Sequence, residues 1–213
     1  LKSTAPKERE QAIELLAYYD DQIALSILEK QLTNEQDKGL REDIVKRLTV
    51  SAHAKASLLL ETCLQDKRHE SVRQLAFIGL VERFKTQNNP LHPLFKALET
   101  SHHDIAILAL KALAPHAKTN PRAEQTLAQA LNHTQPTVRL LALSLLEALY
   151  ATDAKADLQG LQSQHSDVQR AALIRLYQRQ LLSAFEVQRA LVRQQDNSDT
   201  AVRHTAWLIS VLS

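Results

Sequence analysis

The sequence predicts an all-α fold, an α-solenoid of stacked antiparallel helix pairs. Three observations carry this expectation. Among 213 residues there are 3 Gly and 6 Pro, too few turn formers for an all-β chain or a Gly-loop enzyme. Ala, Leu, Gln, Glu, Lys and Arg dominate, and all are good helix formers. A short apolar frame, Val-Arg followed by Ala, recurs along the whole chain, and a fixed period of this kind is the signature of a repeat architecture.

With the position of Val72 taken as zero, the frame stands at residues 8, 40, 72, 105, 138, 168 and 202, with steps of 32, 32, 33, 33, 30 and 34. The copies read EREQAIELL, LREDIVKRL, VRQLAFIGL, IAILALKAL, VRLLALSLL, VQRAALIRL and VRHTAWLIS. Position +1 is Arg in five of seven copies, and position +4 is Ala in six, with Ile44 the exception. Pro6 and Pro136 at −2 suit the first position of a helix, where a missing N–H costs nothing. Asp37 and Asp199 at −3 are good N-caps, and Asp104 and Asp167 at −1 favour the helix dipole.

Between these helices lie further apolar-periodic segments at 22–33, 53–66, 91–100, 122–132, 155–163 and 185–195. Leu28/Leu32, Leu60/Leu64, Leu94/Leu98 and Leu127/Leu131 put i,i+4 pairs on one face. Neither helix of a pair can bury its stripe alone, so neighbouring pairs must stack. The expectation is one domain over 1–213 with six to seven repeats.

The period of 32–33 and the second helices opening on Val72-Arg73/Ala76, Val138-Arg139/Ala142 and Val202-Arg203/Ala206 resemble the HEAT-repeat family in its short bacterial form. The resemblance covers nearly the whole chain and implies a right-handed α-α superhelix with a concave face for partners. It also implies a ladder between repeats, formed by an Asp before each second helix and the Arg within it. Here Asp stands at −3 only at Asp37 and Asp199, with His69, His102, Gln135 and His165 elsewhere, which argues against a continuous ladder. The terminal helix around TAWLISVLS is apolar almost throughout, so the chain is expected to be part of a longer protein.

Composition narrows the function. With 26 basic and 24 acidic residues the net charge is +2, too balanced to imply nucleic acid by itself. The lone Cys63 reads as a buried small hydrophobe. No apolar run reaches the ~18 residues of a membrane span, and no signal-peptide pattern opens the sequence, so a cytoplasmic location is expected. His69, His102 and His165 share position −3, but residues on successive stacked helices stand ~8–10 Å apart, too far to converge on a metal; no metal or other cofactor is expected. No nucleophile or phosphate-loop motif is present, and no catalytic residue is assigned. Nucleic acid is the main rival reading, because Arg170, Arg175, Arg179, Arg189, Arg193 and Arg203 crowd the last third, with Arg175/Arg179 and Arg189/Arg193 forming i,i+4 basic stripes. Some HEAT-like proteins are DNA glycosylases, which makes a duplex cradle the alternative function.

Position +5 is apolar in every copy: Ile13, Val45, Phe77, Leu110, Leu143, Leu173 and Trp207. It lies ~140° from zero and is expected to pack against the next repeat. Positions +2 and +6 point away from the core and form the candidate inner face. They nominate Gln74, Ile78, Ile107, Lys111, Leu140, Ser144, Arg170 and Ile174 as partner-binding residues, with Ile78, Ile107 and Leu140 as an apolar patch. The leading expectation is therefore a protein–protein interaction module that docks a partner protein or a neighbouring domain.

Overall fold

A computed structural model describes residues 5–19, 21–85, 91–100 and 102–212. Among them there are thirteen α-helices, two short 3-10 turns and no strand. The chain divides into two compact units, Leu1–Ala109 and Leu110–Ser213.

The first unit holds α1 (Pro6–Tyr19), α2 (Gln22–Asn34), α3 (Lys38–Val50), α4 (Ala54–Cys63), α5 (Glu70–Phe84) and α6 (His92–Leu98). The division falls within α7 (His103–Leu113). The second unit continues with α8 (Pro121–Gln129), α9 (Pro136–Leu149), α10 (Lys155–Leu161), α11 (Ser166–Gln178), α12 (Phe185–Gln195) and α13 (Thr200–Leu212). Every frame position zero falls in an odd-numbered helix, and every intervening segment holds an even-numbered one. Four of these segments, α4, α6, α8 and α10, end earlier than expected, whereas α2 and α12 reach their expected ends. In 122–132 the last turn, Ala130–Asn132, tightens to 3-10, a common helix ending.

Capping follows the sequence closely. Asp37 accepts from the Leu40 N–H at 3.0 Å, and Asp199 from Ala201 and Val202 at 2.9 and 3.0 Å. Pro6 and Pro136 open α1 and α9. His69 and His165 precede their helices but make no capping bond. The end of α11 is not announced by a glycine. Gln180 takes a φ of 56°, its N–H reaches Tyr177 O at 3.0 Å, and the Leu181 N–H reaches Leu176 O at 3.0 Å. These two bonds form a Schellman stop.

Packing within each unit runs between successive pairs. In the first unit α1 lies on α3 and α3 on α5, while α2 lies on α4 and α4 on α6. In the second, α9 lies on α11 and α11 on α13, while α10 lies on α12. Leu40, Ile44, Val72 and Ala76 are buried in the first unit, as are Val138, Ala142, Val168 and Ala172 in the second. Each fully buried aliphatic side chain contributes ~1.5–3 kcal/mol. Close approach fixes two glycines: a Cβ on Gly79 of α5 would overlap the Thr49 hydroxyl, and one on Gly160 of α10 would sit 2.9 Å from the Ala172 Cβ and 3.0 Å from Leu143 Cδ1.

Candidate interaction surfaces

Position +5 resolves into its packing role. Ile13, Val45 and Phe77 are buried in the first unit, and Leu110, Leu143 and Leu173 in the second. Trp207 alone stands out, 53% exposed on α13. Within each unit the other +5 residues are therefore buried and form no apolar ridge on the surface.

The Arg at +1 forms a ladder that the −3 positions did not announce. Arg9 pairs with Glu35 at 3.0 Å, Arg41 with Asp66, Arg73 with Asp104 at 3.0 Å and Arg139 with Asp167 at 2.7 Å. At Gln169 the same place is taken by an amide pair, with Asn197 donating at 3.1 Å. Counted back from the next frame's zero, the four carboxylates lie at −5, −6, −1 and −1, and Asn197 lies at −5. The ladder is discontinuous, as expected, but the break falls at Ala106, and the pairs that do form do not need Asp at −3. Its carboxylates come from the connecting turn or from the helix's first turn, both within reach of a long guanidinium. Only Ala106 lacks a side chain that could take part.

In these arginines the two edges do different jobs. Arg139 Nη1 donates to the carbonyls of His133 and Thr134, both at 2.8 Å, while Nε and Nη2 grip Asp167 at 3.3 and 2.7 Å. Arg73 likewise holds Asp66 O through Nη1 and Asp104 through Nε. The partners respond electrostatically. Burial pushes the Glu35 carboxyl up, but the Asp37 N–H, Gln31 and Arg9 outweigh it and hold it below the usual range. Burial likewise raises Asp66, but the His69 and Arg68 N–H groups and Arg41 win and lower it.

A second set of arginines went unread. Arg83 and Arg179 both stand at +11. Arg83 donates to His53 O at 3.1 Å and to Ser51 O. Arg179 donates to Ala151 O and Asp153 O, both at 2.9 Å, and to Asp157 at 2.7 Å. Each thus closes the turn that precedes the first helix of its own pair. The signal was present, since both residues share one frame position. Asp157 is fully buried beneath Arg179, and burial, outweighing the Arg179 charge, pushes its carboxyl up to about 6.

The candidate partner residues fall in two groups. In the first unit Gln74 is half-buried and donates to Glu70 at 2.7 Å, Ile78 is 54% exposed one turn later, and Ile107 is half-buried. In the second unit Lys111 is exposed on α7. Leu140 is 37% exposed and Ile174 41% exposed on the packed helices α9 and α11. Ser144, beside them, donates to Leu140 O at 3.1 Å and accepts from Arg175 at 2.8 Å. Arg170 is exposed.

The Arg175/Arg179 stripe is corrected. Arg175 pairs with Glu147 at 2.9 Å, and Arg179 serves the turn clamp. Both are spent inside the second unit and offer no free basic stripe. The thiol of Cys63 is buried, and burial pushes it up to about 12, so it stays protonated and unreactive near neutral pH. Among the described residues no three His, Cys, Asp or Glu side chains gather in a way that could hold a metal ion, and no helix is long and apolar enough to cross a membrane. No protein-family model matches the chain, and no curated protein matches it by sequence.

Proposed function

We propose that the chain is a protein-binding module, a right-handed HEAT-like α-solenoid that receives a partner protein on the outward strip of its second helices. The observation that carries this reading is the exposure of aliphatic side chains at +2 and +6, namely Ile78 in the first unit and Leu140 with Ile174 in the second. Each is held on a helix whose opposite face is locked by core packing and by the arginine ladder. Rigid helices presenting exposed aliphatic groups among polar neighbours (Gln74, Lys111, Ser144, Arg170) make a surface of the kind proteins bind. The recurring frame supports the HEAT-like assignment, and the ladder, with its donor at +1 of each second helix, is in keeping with it.

The nucleic-acid alternative is the weaker one. Duplex binding needs several free cations along one face. Of the six arginines that suggested it, Arg175 and Arg179 are committed to internal partners, and Arg203 holds its own turn. No residue is assigned a catalytic role.

The test is a pair of single substitutions. Ile78→Asp and Leu140→Asp should leave the far-ultraviolet circular dichroism unchanged and weaken partner capture at least tenfold. Unaltered capture by both variants would refute the reading. Retarded migration of duplex DNA that disappears with added salt would favour the alternative.

A further inference from the structure

The sequence marks Arg189 and Arg193 as a basic stripe one turn long, and nothing in the second unit uses it. Unlike Arg175 and Arg179, neither guanidinium has a hydrogen bond or ion pair among the described residues, and both are exposed. Phe185 stands one turn before Arg189 and is 76% exposed. The three side chains follow one another at i, i+4 and i+8 along α12, on a helix whose Val187 and Leu191 are buried.

The stripe borders a groove. Helix α12 packs on α10, and between them lies a groove of about 380 Å³ lined by Phe185, Arg189 and Arg193 and by the apolar Leu158, Leu161 and Ala190. That size falls in the range of ligand sites. Gln194, also on its wall, donates to Leu161 O at 3.3 Å and ties the two helices together. Glu186 is the one carboxylate on the lining, set against two guanidiniums, so the groove carries a net positive charge. Both of its walls are helices packed on one another within this unit.

We propose that this groove binds an acidic segment of a partner protein in extended conformation, with carboxylates on alternate residues and an aliphatic residue two positions beyond. Charge complementarity selects the acid, because a planar guanidinium takes a carboxylate through two parallel N–H donors. Spacing selects the extended form. Successive stripe residues of α12 stand about 6 Å apart along the helix axis. Alternate side chains of an extended chain stand about 6.6 Å apart on one face. Two acids would thus meet Arg189 and Arg193 while an aliphatic side chain covers Phe185. The groove lies on first helices and the +2/+6 strip on second helices, so either can fail without the other.

The probe is the capped peptide Leu-Ser-Glu-Ser-Glu-Ser-Leu, which offers the pattern in either chain direction. Titrated at low salt into the isotope-labelled full chain, it should shift the nuclear magnetic resonance signals of the Arg189 and Arg193 Nε–H groups and of the α10 and α12 backbone amides. The amides of Ile78 and Leu140 should stay in place. Leu-Ser-Glu-Glu-Ser-Ser-Leu has the same composition with its acids on opposite faces, and should bind at least fivefold more weakly. The first peptide should bind Arg189→Gln or Arg193→Gln more weakly by the same factor, with the far-ultraviolet circular dichroism of both variants unchanged. No shift at millimolar peptide, shifts confined to residues outside the groove, or equal binding of the two peptides would overturn the proposal. Displacement of the peptide by a single-stranded oligonucleotide at lower concentration would overturn it in favour of nucleic acid.

Discussion

At the scale of single residues, Asp157 is the sharpest case. Its carboxyl is fully buried, Arg179 is its ion-pair partner, and Glu147 and Arg175 are the other charges bearing on it. Its pKa rises from 3.8 to about 6 on folding, so the folded state holds the proton more tightly than the unfolded state. The stabilisation this provides is complete below pH 4 and is lost as the pH rises to 6. At 1.36 kcal/mol per pKa unit the loss is about 3 kcal/mol. Denaturant unfolding of the protein and of Asp157→Asn at pH 4 and pH 7 checks this. Relative to the Asn variant, the unsubstituted chain should lose stability by about that amount, and a constant difference would contradict the assignment. Gln180 offers a second test. A non-glycine residue at φ 56° carries strain of ~1 kcal/mol, so Gln180→Gly should raise stability by about 0.5–1 kcal/mol, although glycine usually destabilises.

At the scale of elements, the joints between helix pairs are set by close approach and by the ladder. Replacing a helical glycine with Ala normally stabilises by ~1 kcal/mol. At Gly160 the sign should reverse, because the new methyl would stand 2.9 Å from the Ala172 Cβ. Gly160→Ala is expected to cost about 1–3 kcal/mol through overpacking, measured as a drop in the denaturation midpoint. The ladder should show a similar contrast. Asp104→Ala strands the nearly buried Arg73 and should cost about 2–3 kcal/mol. Glu99→Ala removes a surface i,i+3 pair with Lys96 and should leave the denaturation midpoint essentially unchanged.

At the scale of the whole molecule, the fold was largely legible because one frame was written seven times. Periodicity alone puts Val72, Leu75, Ala76 and Leu80 in the core, and all but the half-buried Leu75 are buried; Phe77, expected against the next repeat, is buried as well. The ladder was legible in its donors but not in its acceptors. An arginine side chain spans several ångströms, so Glu35, Asp66 and Asp104 serve equally well from three different frame positions. Arg83 and Arg179 were missed because a guanidinium that closes a turn looks, in sequence, like any exposed basic residue; charge pattern alone made Arg179 part of a stripe. Candidate surface residues were only half legible. Helical phase separates Ile78 from the core, but Ile107, also placed outside the core by phase, is half-buried while Ile78 is open.

The central claim is that the +2/+6 strip of the second helices receives a protein. The most direct measurement is site-specific photo-crosslinking in a nuclease-treated extract, with benzoylphenylalanine placed at position 78, 140 or 58. Leu58 is an exposed aliphatic residue of a first helix and serves as the control. A discrete protein adduct from positions 78 and 140, absent from position 58, is the predicted result. Adducts of equal yield from all three positions, or none from 78 and 140, would contradict the claim.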